Sequence, residues 1–352
     1  MRYRQTRMAE WVDGLSLRRK VLMLSLAWLA LISASHFWVN REPTGRIVVR
    51  MGYMPVISNI AAPILDAASK EGKGVRFEAM KFSSFAEMGE ALRNGSIDAA
   101  FIIAPLAVAL RQQGEDVRIV AIGARHESTL VVKKSLPVKT FADLAGKTLA
   151  VPMRFSGHNL AVRRLAEKYG LGESIKIVEM NPPDMAAAMA AGVLDAYCVG
   201  EPMAAKTIMA GQSRALSYVE EAWPGFICNL VLVKGDLVEN HPERVAALVQ
   251  GAARAGLWAK ANLKEAARIA SDYWGTPLPL VEYALETPPG RVVFNRFAPK
   301  ESEVQEMAGY MARFRIIETA EIEGLVEPRF ALAADLDGIK GFSSILRKAR
   351  GR

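Results

Sequence analysis

The chain has 352 residues, of which 51% are hydrophobic and 23% charged, and this balance excludes a disordered or fibrous protein. Its length allows two ordinary domains around a well-buried core. The net charge of +8 suggests a nucleic-acid binder, but residues 1–20 carry net +4 and residues 340–352 net +5, leaving the body at −1. A nucleic-acid binder carries its basic stripe on the folded domain, so that class is excluded and no nucleic-acid partner is expected.

In chain order, the basic segment 1–20 precedes an uncharged apolar run, residues 21–39. Such a run is about long enough to cross a bilayer as a helix. Basic residues before it keep that end cytoplasmic, so the chain beyond is expected to be exported. The run reads as a signal peptide or as a signal anchor that tethers the protein to the inner membrane. Small residues at Ser33-Ala34-Ser35 would suit cleavage.

From residue 46 onward the pattern alternates between strand and helix. "RIVVRMGY" reads as a strand, 59–70 as a helix, "VRFEAMKF" (75–82) as a strand, and 84–93 as a helix with Ser83 or Ser84 as its N-cap. "IDAAFII" follows as a buried strand, with Gly95 placed for a left-handed C-cap and Pro105 for the start of the next helix. The same course recurs over 148–210. Met88, Ala91, Gly95, Asp98, Ala99, Pro105 and Ala107 are repeated 97 residues later by Met185, Ala188, Gly192, Asp195, Ala196, Pro202 and Ala204. "TLVVK" (129–133) likewise returns as "LVLVK" (230–234). This is a duplicated half-domain rather than a solenoid. Two βαβαβα units argue for two similar doubly wound α/β lobes with parallel sheets. The expected division is 46–131 plus 231–339 for the first lobe and 132–230 for the second. Strands near 128–135 and 228–236 would be the hinge crossings, and residues 340–352 a basic tail. Mostly helical sequence after 240 should return to complete the first lobe.

Two such lobes enclose a cleft, and open α/β sheets bind ligands beyond the carboxyl ends of their strands. Helix N-termini there offer free N–H groups to anions. The turns facing the cleft should be 53–59, 82–85, 103–106, 153–159, 181–184 and 199–203. The site candidates are therefore Pro55, Ser58, Asn59, Ser83, Ser84, Pro105, Arg154, Ser156, His158, Asn159, Gly200, Glu201 and Pro202. Arg154 would pair with a sulfonate or carboxylate. Glu201 could bond backbone groups across the hinge, contact a ligand amine, or accept a proton. The two cysteines, Cys198 and Cys228, could form a disulfide or remain lone buried thiols. With no Cys/His cluster, no metal or cofactor is expected. No nucleophile motif or carboxylate pair is evident either, so an enzyme is not expected.

"GYMPVISNIAAPILDA", "NGSIDAAFIIAP", "FADLAGKTLAVP" and "DAYCVGEPMAA" together resemble the periplasmic substrate-binding proteins of ABC importers for nitrate, sulfonates, taurine and bicarbonate. The resemblance covers about residues 46–330. It implies a hinged clamshell of the type II binding-protein fold that closes on a small anionic solute and delivers it to a permease and its ATPase. We expect a monomer. Met203 departs from the aromatic residue that nitrate- and bicarbonate-type members often carry after the Glu-Pro pair. Clamshell relatives include enzymes and binders of thiamine-precursor type, which form the alternative.

Overall fold

The computed structural model describes residues 16–40, 45–71 and 74–346. Residues 1–15 of the basic leading segment and 347–352 of the basic tail lie outside the described residues. The chain divides into two units, 1–46 and 47–352. In the first, helix α1 spans Leu17–Asn40, with large apolar side chains such as Leu24, Trp28 and Leu29 exposed. Among the described residues no helix is long and apolar enough to cross a membrane, so the span expected over 21–39 finds no support here.

Residues 47–352 carry ten strands among the described residues. These are β1 (Val48–Tyr53), β2 (Arg76–Lys81), β3 (Ala99–Ile103), β4 (Val117–Arg125), β5 (Ser128–Lys133), β6 (Thr148–Val151), β7 (Lys176–Glu179), β8 (Ala196–Gly200), β9 (Ser213–Tyr218) and β10 (Ile227–Lys234). They form two five-stranded sheets, ordered β2-β1-β3-β10-β4 and β7-β6-β8-β5-β9. The patterns explain the positions. β3 and β8 are buried along their whole length and sit inside their sheets, whereas β2 and β7 expose residues and form edges.

Helices α2 (Ala61–Ser69), α3 (Phe85–Arg93) and α4 (Ala104–Gln112) connect the strands of the first sheet. Helices α5 (Gly157–Lys168), α6 (Pro182–Ala190) and α7 (Met203–Met209) do the same in the second, and the short α8 (Val219–Ala222) follows β9. Ser84 caps α3 by accepting from Ala86 N, and Ser156 caps α5 by accepting from Asn159 N. After β10 come α9 (Gly235–Asn240), α10 (Pro242–Ala261), α11 (Leu263–Trp274), α12 (Leu278–Glu286), α13 (Glu301–Arg313) and α14 (Arg329–Leu332). α10 and α11 pack on α2, and α13 packs on α4, so the C-terminal helices complete the first lobe. The described start of the basic tail also belongs to the body. Ile345 is buried, and the buried Arg254 on α10 donates to the carbonyls of Asp335, Asp337, Ser344 and Ile345.

The sheets are mixed rather than all parallel. β10 pairs antiparallel to β3 and β4, and β5 pairs antiparallel to β8 and β9. The reason lies in the crossings. β4 ends at the cleft, so the chain enters the second sheet from its cleft end and β5 must run against its neighbours; β10 does the same in return. The expected boundaries at 131/132 and 230/231 fall inside β5 and β10. Sheet membership instead places the crossings at 126–127 and 219–226. The first crossing is only two residues long. His126 and Glu127 both have positive φ, 70° and 69°, a left-handed conformation that non-glycine residues adopt at a cost.

Candidate functional site

The carboxyl ends of β1, β3, β6 and β8 face one another across the two crossings, and there the body buries a set of polar side chains. Ser58, Asn59, Glu127, Ser128, Thr129, His158, Asn159, Glu201, Asn229 and Arg291 are all buried. Two surface cavities lie away from this set. One of about 690 Å³ is lined by residues such as Arg111, Phe155 and Thr319, and one of about 290 Å³ by Trp223, Arg296 and Glu303; neither touches a candidate residue.

Glu127 stands at the centre. Its Oε2 accepts the Glu201 N–H at 2.6 Å. The approach requires Gly200, because a Cβ there would lie 2.8 Å from Glu127 Oε1. Burial pushes the Glu127 carboxyl up to about 8, outweighing the Cys228 thiol, the Ser58 hydroxyl and the Glu201 N–H that hydrogen-bond to it. At neutral pH it therefore carries its proton. His158 Nδ1 and Asn229 Oδ1 have no hydrogen-bond partner in this region. Buried polar atoms are almost always paired, so these two stand out among the buried set.

His158, on the first turn of α5, makes a 3.0 Å hydrogen bond through Nε2 to Ser128 Oγ. Burial lowers its pKa to about 3, so the ring is neutral. Cys228 Sγ lies 3.9 Å from the same nitrogen and 3.5 Å from Ser128 Oγ. This Cys–His pair is not an activated nucleophile. Burial raises the thiol well above its ordinary value and lowers the imidazole, the reverse of what a thiolate–imidazolium pair needs. Cys198 and Cys228 are both free, so the disulfide does not form.

Glu201 serves the frame. Thr129 Oγ1 donates to its Oε1 at 2.7 Å, and the Ala205 N–H donates to its Oε2 at 2.8 Å. Its backbone carbonyl accepts from Ile57 N at 2.8 Å, which ties the first lobe to the second. Burial raises its pKa, opposed by Thr129, the Ala205 N–H and Arg291. Arg291 is a buried cation of this region, with Nη1 3.9 Å from Glu201 Oε1. It donates to Glu220 Oε1 at 2.6 Å, to Thr129 Oγ1 at 2.9 Å and to the Ser128 carbonyl, and it stacks on Tyr218.

The remaining candidates divide cleanly. Asn59 holds the loop by donating to the Met54 and Phe101 carbonyls, and its Oδ1 accepts from Asn229 Nδ2 at 2.7 Å. Ser156 caps α5, while Asn159 donates to the Arg154 carbonyl and accepts from Arg163. Pro55 lies half-buried in the turn after β1, and Pro105 is buried in the first turn of α4. Pro202 is the N-cap of α7 and follows a cis peptide bond. Ser83, Ser84 and Arg154 are not brought into the buried set. Ser83 is exposed and bonds Glu87, Ser84 caps α3, and Arg154 is exposed beside Glu179.

Residues 44–271 match the NMT1-like family. The chain belongs to that family. A taurine-binding periplasmic protein of Escherichia coli is 28% identical to this NMT1-like protein over 263 residues, covering 70% of this chain and 77% of the relative. Among solved structures, the ligand-binding component of an ABC-type import system from Staphylococcus aureus superposes with a TM-score of 0.75 at 20% identity, over 83% of this chain and all of that one. The periplasmic nitrate-binding protein NrtA from Synechocystis gives 0.73 at 18%, over 82% and 88%. The fold is also that of the desulfurization enzyme DSZB, at a TM-score of 0.57 and 16% identity, over 81% and 97%. At these identities the structures establish the fold alone, and the fold is the clamshell expected from the sequence.

Sequence reasoning missed Glu127, Ser128, Thr129, Cys228, Asn229 and Arg291. A signal for four of them was present. Aligning "TLVVK" with "LVLVK" sets Glu127-Ser128 opposite Cys228-Asn229, polar residues just before two apolar runs. Those are the points where the chain enters each sheet from the cleft. Arg291 arrives from a loop after α12, and no local pattern announces it.

Proposed function

We propose that this NMT1-like protein is the extracytoplasmic solute-binding component of an ABC importer. It closes its two-lobed cleft on a small solute of the class named for its relatives, taurine, sulfonates and nitrate, and delivers it to a permease and its ATPase. The observation that carries this reading is the buried polar set built from both lobes and the first crossing at the strand carboxyl ends. Closure needs contacts that a solute makes only when both lobes are present, since only differential contact shifts such an equilibrium. Ser58 from one lobe, His158 from the other and Glu127 between them meet that requirement. No catalysis is proposed, because the one Cys–His pair is held in its unreactive forms.

Export is part of the proposal. The periplasmic relative supports it, as does the basic segment leading into an apolar run at 21–39, which would direct the chain out and anchor it if uncleaved. The full-length protein should melt at a higher temperature with at least one of taurine, β-alanine, ethanesulfonate, isethionate and nitrate, and calorimetry should give saturable binding. If none binds, the receptor reading fails.

A further inference from the structure

We propose that Arg164, outside the buried polar set, is a positioning residue for closure. Held between the Trp223 and Tyr310 rings, it latches the second lobe to the first and favours the closed arrangement. The consequence for solute affinity rests on the receptor reading; the latch itself does not.

Helix α5 belongs to the second lobe and α13 to the first, and Arg164 stands where they meet beside the second crossing. Its guanidinium carbon lies 4.3 Å from the centre of the Tyr310 ring, on α13, and 4.5 Å from that of Trp223, in the crossing. The two rings meet edge to face at 5.5 Å, and Trp223 is buried. Glu306, also on α13, is 4.0 Å from Arg164 Nη1, and further along α5 Glu167 pairs with Arg313. Residues 306, 310 and 313 share one face of α13, as 164 and 167 share one face of α5, so the two helices address each other through these side chains.

The contact is built to be released. A cation is attracted to a ring face only within about 6 Å of its centre, so moving α5 a few ångströms from α13 ends it. Arg164 Nη1 is buried without a hydrogen bond, because Glu306 at 4.0 Å is too far to accept one. That donor regains water when the lobes part, which leaves the rings and the carboxylate only a modest margin in favour of closure. Helix α5 also joins the latch to the site. Gly157 at its start lies against Phe226, where a Cβ would be 2.7 Å from the ring, and the adjoining His158 bonds Ser128. Ring contacts run on from Tyr310 to Trp223, from Trp223 to Phe226 at 5.7 Å and from Phe226 to His158 at 6.0 Å, linking first lobe, crossing and second lobe. Arg164 lies about 9 Å beyond His158 on the same helix. Opening at His158 and release at Arg164 are therefore one motion.

Hydrogen exchange and calorimetry on the full-length protein test this together. The Ile57 N–H bonds the Glu201 carbonyl across the lobes at 2.8 Å, and the Glu201 N–H bonds Glu127, so both amides exchange when the lobes open. Arg164→Met keeps much of the side-chain length and removes the cation. It should shift the balance from closed to open about fivefold. Exchange without solute speeds up if the closed arrangement dominates, and binding weakens if the open one does; the two factors multiply to about fivefold in either case. Taurine, ethanesulfonate and nitrate are the binding probes, and those that bind should weaken by one common factor, because Arg164 touches no solute. Amides of β1 and β6 should keep their rates, which separates opening from a general loss of stability. Tyr310→Leu should act like Arg164→Met, and the double variant no further than either alone, whereas Tyr310→Phe keeps the ring and should change nothing. If Arg164→Met does not fold, Tyr310→Leu carries the test. A product near one, tighter binding at unchanged exchange, or full additivity in the double variant overturns the inference and leaves the receptor reading standing. If no probe binds, the receptor reading falls and exchange alone decides the latch, with unchanged rates at Ile57 and Glu201 overturning it.

Discussion

The two copies of the internal repeat, β3–α4 and β8–α7, were built from one pattern and now do different work. What they share is framework. Gly95 and Gly192 both follow a helix at positive φ, 77° and 80°. Asp98 accepts from the Arg50 N–H at 2.8 Å, and Asp195 accepts from the Thr148 N–H at 2.9 Å, so each aspartate clips its strand to the neighbouring one. Where they differ is the exit from the strand. In the first copy Ile103 is buried and the helix starts at Ala104, with Pro105 inside its first turn. In the second the helix waits until Met203, and Glu201 stays outside it. That delay lets Glu201 donate its N–H to Glu127, cap α7 with its carboxylate, and receive Ile57 from the other lobe. Duplication supplied a scaffold, and a few residues of divergence built one wall of the buried site.

Exchanging the divergent residues tests this most severely. Ile103→Gly removes a fully buried side chain and should lower unfolding free energy by about 4 kcal/mol in urea titrations. Gly200→Ile places a Cβ 2.8 Å from Glu127 Oε1; it should destabilise by about 2 kcal/mol and abolish calorimetric binding of any solute that the natural protein holds. Retained binding would remove Gly200 from the account of the site.

The shared aspartates should respond alike. Asp98→Ala and Asp195→Ala each strand a backbone N–H and should each lose about 2 kcal/mol by the same measurement. A much larger loss at Asp98 would show that its ion pair with Arg50, rather than the backbone clip, is the main contribution.

A pH series sharpens the comparison at Glu127, whose counterpart at the start of β10, Cys228, is not acidic. The Glu127 carboxyl titrates near 8 when folded and near 4.5 when free. Between pH 6.5 and 8 the folded protein thus keeps a proton that the unfolded chain has lost, and stability must fall as pH rises. The fall should be about 2 kcal/mol without solute, and Glu127→Gln should flatten it. His158 has the opposite sign, since its neutral folded form loses stability as pH falls from 6.5 toward 3, so it does not disturb the window above 6.5. The smallest effect is at the paired glycines. Gly95→Ala and Gly192→Ala should each cost about 1 kcal/mol, equal within error, because both occupy the same left-handed position.

Much of the architecture was legible along the chain. Strand and helix periods, the cap at Ser84, and the return of the C-terminal helices to the first lobe all follow from local pattern. Among the site residues, Ser58, His158, Gly200 and Glu201 could be read because they sit at strand exits, where position alone implies a cleft. Arg154 misled because charge type says nothing about direction, and its neighbour Glu179 draws it outward.

The sequence by itself determined the repeat, the order of the elements and the two-lobed plan, because these rest on periodicities of two and 3.6 residues and on turn chemistry. Only the tertiary structure decided that β5 and β10 exchange sheets, and with them Glu127, Ser128, Cys228 and Asn229 come to one point. Burial then sets the protonation of Glu127 and His158, and burial is a property of what the distant chain packs around a group rather than of its neighbours in sequence.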